Sequence, residues 1–149
     1  MKLLIKKASL IKKEPEGLEI LDVLISGEKI EEIGQNIQYP ETSTIDAHGK
    51  ILVPGLVDAH VHFREPGQQH KEDLRTGSMA AAAGGFTTVI AEPNTTPPID
   101  TPTRLRNLLS IAKKKSVIHF YSKASITRGI MGIGLTDIPR LKKAGAKAI

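Results

Sequence analysis

The sequence predicts an α/β fold, a series of βα units building a parallel sheet, preceded by a small all-β unit. Two observations carry this. Residues 1–53 alternate apolar and polar side chains in short runs broken by turn signals, with no helical period among them. From Gly55 onward, apolar runs and helical segments alternate three times, and a fourth apolar run begins as the sequence reaches Ile149. Repeated βα units imply a parallel sheet, open or closed into a barrel. A closed (β/α)8 barrel needs roughly 200 residues or more, so three units cannot close one. The chain is therefore divided into 1–53 and 54–149.

In the first part, Leu3 to Leu10, Ile20 to Ile25, Lys29 to Ile33 and Ile45 to Val53 are expected strands, with a turn at Ser26-Gly27. In the second, Leu56 to His62 is a short strand, and the alanine-rich stretch from Glu72 to Ala83 is a helix stopped by Gly84-Gly85. Glu72 and Asp73 suit its first turn through the helix dipole. Phe86 to Ala91 reads as a strand buried on both faces. Thr101 is the expected N-cap and Pro102 the first residue of a helix to about Lys115. Val117 to Ala124 is the next strand and Thr136 to Ala144 the next helix. Gly145 caps that helix before Ala146 to Ile149 starts another strand.

Composition narrows the function classes. With no cysteine, there is neither a disulfide framework nor a thiolate metal site, so any metal must be held by nitrogen and oxygen groups. No apolar run approaches the roughly 20 residues that span a bilayer, and the lysines at 2, 6 and 7 interrupt the N-terminal apolar stretch too soon for a signal-peptide core. The net charge of +5 sits largely in short lysine runs, Lys6-Lys7, Lys12-Lys13, Lys113 to Lys115 and Lys142-Lys143. These read as solvated helix ends and strand edges. Three Phe, two Tyr and no Trp offer few platforms for stacked bases, so no nucleic acid is expected as partner.

The strongest chemical signal is Asp58-Ala59-His60-Val61-His62 in the first βα strand. Strand alternation puts Asp58, His60 and His62 on one face and Val57, Ala59 and Val61 on the other, toward covering helices. Two imidazoles about 7 Å apart at Cα can converge on one ion, with each nitrogen about 2.0–2.1 Å from it. The bland alternative is a pair of surface histidines on an edge strand. Metal ligation is favoured, since an unliganded histidine is costly in a strand otherwise made of Leu, Val and Ala. Arg64 follows the second histidine and can grip a carboxylate through two parallel hydrogen bonds; a salt bridge to Glu65 or another loop acid explains it equally well. The next strand ends in a stiff Pro-rich loop, Glu92 to Asp100, able to present Asn94 as donor and acceptor, although an isolated Asn is more often a turn residue. Asp58 is read as a brace. His48 and His70 are placed in a turn and a loop, and His119 as a hydrogen-bonded core histidine.

Taken together, Pro54 to Gly67, Ala82 to Thr88 and Pro93 to Asp100 resemble three successive blocks of the dihydroorotases, within the amidohydrolase superfamily. The likeness runs over essentially the whole chain. It implies a (β/α)8 TIM barrel beside a small β-sandwich built from both chain ends, with 1–53 belonging to the sandwich and 54–149 to the first barrel units. The implied activity is the reversible metal-dependent cyclisation of N-carbamoyl-L-aspartate to dihydroorotate in pyrimidine biosynthesis. His60 and His62 would then be metal ligands, usually to zinc, with two ions per complete site. Arg64 and Asn94 would bind the substrate carboxylate. The remaining ligands and the general base are expected beyond Ile149, so the chain alone is expected to be inactive; Lys147 does not align with the missing ligand of the fourth strand. The resemblance also implies a cytoplasmic location, no membrane association, and assembly as a homodimer or with aspartate carbamoyltransferase.

One residue departs from the family pattern: Glu92 stands where an apolar residue, often Met, is expected. Hydantoinases and allantoinases share the His-x-His, but generally lack both the arginine after it and the Pro-Asn-Thr block. A non-catalytic dihydroorotase-like scaffold is a further alternative, disfavoured because a scaffold has no physical need for His60, His62 and Arg64.

Overall fold

The computed structural model describes residues 2–12, 16–40 and 42–149. The chain divides into two compact units, Met1–Pro54 and Gly55–Ile149. Among the described residues no helix is long and apolar enough to cross a membrane. Lys13 of the second lysine run lies outside the described residues.

The first unit is one five-stranded sheet. Strands β1 (Lys2–Lys12), β2 (Gly17–Ser26) and β3 (Lys29–Gly34) form an antiparallel meander, and β4 (Ser43–Asp46) and β5 (Ile51–Leu52) both pair parallel with β1. The expected single strand from Ile45 to Val53 is thus two pieces. The Asp46 carboxylate accepts the His48 N–H at 3.0 Å, and Gly49 takes φ 73°, so the backbone turns where extension was expected. The register of β1 also slips between Ile5 and Ala8. Buried Asp22 holds this bulge, accepting the Lys7 N–H at 2.8 Å through one oxygen and the Ile37 N–H at 3.0 Å through the other. Both carboxylate oxygens are satisfied, as burial of the group requires. Leu4, Leu24 and Ile37 form the small apolar cluster beside it.

The second unit alternates strand and helix. Strands β6 (Leu56–Val61), β7 (Phe86–Ala91) and β8 (His119–Ser122) lie parallel in that order, with α1 (Leu74–Ala83), α2 (Pro102–Lys115) and α3 (Ile138–Ala144) following them in turn. Its core joins Phe63, Leu74, Val89, Ile99, Leu105 and Leu141. Helix α1 starts two residues later than expected because Asp73 is its N-cap, accepting the N–H groups of Arg75 and Thr76 at 2.8 Å. The Thr76 amide is the main cause holding the Asp73 carboxyl below its ordinary range. Thr101 caps α2 with Pro102 at its first position, as expected. Asp137, not Thr136, caps α3, which begins at Ile138. Strand β8 is shorter than the expected Val117 to Ala124. The Val117 and Ile118 N–H groups bond to the hydroxyls of Ser78 and Ser116, so they leave the ladder. Beyond α3, Ala148 bridges Lys123 in parallel sense and the Ala124 N–H donates to the Ala148 carbonyl.

Three expectations about faces do not hold. Strand β7 is fully buried on one face only: Val89 and Ala91 are buried, while Thr88 and Ile90 on the opposite face are half-buried, because the helices of this unit pack against the Val89 face. His119 is exposed rather than a core residue. It pairs in register with Thr88, one step out of phase with buried Val89. Asp58 does not share a face with His60. It pairs with Val89, and Val61 with Ala91, so three steps along β6 match two along β7. Such a bulge inverts the alternation beyond it. Asp58, Val61 and His62 line the cleft beside Gly77 and Ala81 of α1, while Val57 is exposed.

Candidate functional site

The C-terminal ends of β6, β7 and β8 carry the candidate residues. His62 stands one position past β6, Glu92 one past β7 and Lys123 one past β8. In parallel α/β folds this rim is where side chains from different strands converge. The bulge in β6 is closed locally, the His60 N–H donating to the Asp58 carboxylate at 2.9 Å. Asp58 is thus a brace for the backbone that carries His60.

The two imidazole rings lie with centroids 5.3 Å apart, edge to face. Each has a side-chain oxygen at Nδ1. His62 Nδ1 is 3.0 Å from Asn94 Oδ1, and His60 Nδ1 is 3.3 Å from Glu92 Oε1. An amide oxygen only accepts, so the His62 Nδ1 carries the proton and its Nε2 is left with a lone pair. Glu92 is also ion-paired with Lys123, and both side chains are largely buried. Asn94 thus sits against the second histidine, which the sequence reading did not anticipate for it.

Arg64 is half-buried, and among the described residues its guanidinium makes no ion pair. The suggested bridge to Glu65 does not form. Glu65 is buried, ion-paired with Lys115 at 2.6 Å, and accepts the Leu74 N–H at 3.2 Å. The loops holding Arg64 and Asn94 are tied together. The Thr96 N–H donates to the Pro66 carbonyl at 3.1 Å, and Gln68 Nε2 donates to Thr96 Oγ1 at 2.9 Å. Gly67, with φ 90°, permits this approach; a Cβ there would lie 1.8 Å from the Thr96 carbonyl oxygen. Within the second loop, the Thr95 hydroxyl donates to the Pro97 carbonyl at 2.7 Å and the Ile99 N–H to the Pro93 carbonyl at 2.9 Å.

Among the described residues, no three His, Cys, Asp or Glu side chains gather into a metal-holding group. Two imidazoles with Nδ1 engaged and Nε2 directed elsewhere are nonetheless the donor chemistry of a divalent ion such as zinc. Sequence reading missed the Glu92–Lys123 pair. Its only trace was a charged residue at the end of an otherwise apolar strand, followed one strand later by another of opposite sign.

Residues 49–149 match a protein-family model described as dihydro-orotase-like. The chain is 46% identical over 144 residues to the dihydroorotase of Streptococcus pyogenes serotype M1, covering 97% of this chain and 34% of that protein. It is 50% identical over 125 residues to the dihydroorotase of Streptococcus thermophilus (strain CNRZ 1066), covering 84% of this chain and 29% of the relative. Among solved structures, the L-hydantoinase (dihydropyrimidinase) from Arthrobacter aurescens superposes with a TM-score of 0.83 at 28% identity, over 98% of this chain and 32% of that one. A dihydroorotase structure matches with a TM-score of 0.66 at 16% identity, over 96% of this chain and 38% of that one, a likeness of fold alone. The chain spans about a third of the length of the curated relatives it matches.

Proposed function

This chain belongs to the dihydro-orotase-like family, and we propose that the full-length protein is a dihydroorotase, interconverting N-carbamoyl-L-aspartate and dihydroorotate. The observation that carries the reading is the pair of imidazoles on one strand rim, each with an oxygen at Nδ1, in a chain 46–50% identical to curated dihydroorotases. His60 and His62 would hold divalent metal through Nε2, zinc being the expected ion and two the expected number. Bound there, the metal would activate water and polarise the amide carbonyl.

The chain's own residues would bind and orient. Arg64, which makes no ion pair among the described residues, would take the substrate carboxylate in a charge-assisted pair. Asn94 keeps Oδ1 on His62, leaving its amide N–H groups to donate to the same carboxylate. The ring amide would thereby face the histidines. The general base and further ligands would come from residues beyond Ile149. By the same reading, Met1–Pro54 is part of a small β-sandwich, and Gly55–Ile149 the first units of a TIM barrel. The family likeness extends the proposal to a cytoplasmic protein, assembled as a homodimer or with aspartate carbamoyltransferase.

The hydantoinase neighbour favours a second reading, a cyclic amidohydrolase acting on a ring without the carboxylate. The test is to assay the full-length, zinc-loaded protein with dihydroorotate, hydantoin and dihydrouracil. Dihydroorotate should be hydrolysed with the highest kcat/KM. Preference for hydantoin or dihydrouracil would overturn the assignment in favour of the second reading.

A further inference from the structure

Glu92 is out of place as a strand-end residue unless something requires it. It follows buried Ala91, its side chain is only 16% exposed, and it is drawn into the ion pair with Lys123 from the neighbouring strand. A partly buried carboxylate needs such a partner to remain charged. One oxygen, Oε1, serves both Lys123 and the contact 3.3 Å from His60 Nδ1. Lys123, Glu92 and His60 therefore run in a line across the ends of β8, β7 and β6. The rim is built so that a cation anchors an anion, and the anion faces the imidazole.

Resting on the metal reading of His60 and His62, we infer that Glu92 is a positioning residue for His60. It accepts the Nδ1–H, selects that tautomer and keeps the Nε2 lone pair available to the ion, while Lys123 fixes the carboxylate from behind. Two features support an outer role for Glu92 over direct ligation. Lys123 already compensates its charge, and the carboxylate approaches His60 on the Nδ1 side, opposite to Nε2. The arrangement mirrors Asn94 on His62, with a charged acceptor in place of a neutral one. A carboxylate accepting from a metal-ligating imidazole fixes the ring's orientation and raises its basicity, and loss of such a partner costs about 10- to 100-fold in metal affinity. The two histidines would then differ in what orients them, a carboxylate for His60 and an amide oxygen for His62.

The experiment uses the full-length protein freed of metal, and two readouts. Zinc affinity is measured by competition with a chromogenic chelator for the wild type, Glu92→Leu, Glu92→Gln and His60→Ala. The tautomer of His60 is read from two-bond 1H–15N correlation spectra of histidine-labelled wild-type protein at a pH where the ring is neutral, the signal being assigned by its loss in His60→Ala. Expected are a neutral His60 protonated at Nδ1, a 10- to 100-fold loss of zinc affinity in Glu92→Leu, and a smaller loss in Glu92→Gln, which keeps an acceptor without the charge. A His60 protonated at Nε2 would overturn the inference whether or not the leucine variant folds. So would a folded Glu92→Leu protein with wild-type affinity beside a His60→Ala protein that has lost it. If His60→Ala itself binds zinc like the wild type, the metal reading fails, and this inference with it.

Discussion

His62 and His60 are each approached at Nδ1 by an oxygen from the loop that follows β7, and this arrangement sets what the single residues can do. Asn94 acts through its oxygen on His62, at 3.0 Å, which leaves only its amide N–H groups for a ligand. Among the described residues the Arg64 guanidinium makes no ion pair: its neighbour Glu65 is committed to Lys115 and to the Leu74 amide. A cation without a structural counterion contributes little to folding and can be removed without harm to it. Arg64→Met in the full-length protein should therefore leave thermal stability near the wild-type value. It should remove about 2–3 kcal/mol of transition-state stabilisation, roughly 30- to 150-fold in kcat/KM for dihydroorotate. Steady-state kinetics beside a melting curve checks this; an unchanged kcat/KM would exclude the carboxylate role.

Among the elements, the two loops after β6 and β7 act as one piece. Thr96 gives its N–H to the Pro66 carbonyl and its hydroxyl accepts from Gln68, and the approach is close enough that only hydrogen fits at the Gly67 α-carbon. A methyl there meets the Thr96 carbonyl and also strains a backbone held at φ 90°. Gly67→Ala should destabilise the full-length protein by about 1–3 kcal/mol. It should also lower kcat/KM, because the loops of Arg64 and Asn94 are pushed apart together. Urea unfolding with parallel kinetics measures both; a variant as stable and active as the wild type would show that the loops do not depend on each other. The bulge in β6 works at the same scale. It turns Asp58 toward α1 and leaves that carboxylate to hold the His60 amide instead of joining the rim.

Taken as a whole, the chain leaves much apolar surface uncovered in both units. In the first, Ile11, Leu18, Ile20 and Ile30 are each more than half exposed. In the second, Val57 is 62% and Ile133 75% exposed, and the face of the parallel sheet away from the helices carries His119 in the open. Edge strands and apolar patches of this kind invite association. Residues 1–149 expressed alone should form oligomers or aggregates by light scattering. They should show no dihydroorotate hydrolysis above a zinc-only control, since two imidazoles are too few ligands for a tightly held catalytic ion. A monodisperse monomer with turnover would contradict both statements.

What the residues determined by themselves was whatever depends on near neighbours. The order of strands and helices, the Thr101 cap with Pro102 behind it, the stop at Gly84 and the proximity of His60 to His62 all follow from local periodicity and backbone preference. The family likeness was legible for a related reason: its motifs are contiguous blocks. Contacts between residues far apart in sequence were decided only by the tertiary structure. Asp22 closing a bulge at Lys7, Glu65 taken by Lys115, and Lys123 anchoring Glu92 beside His60 all depend on the register in which one element lies against another. A one-residue slip in that register inverts which face a side chain occupies, as it does for Asp58. Pairing energy summed along whole strands sets the register, so no single residue announces it.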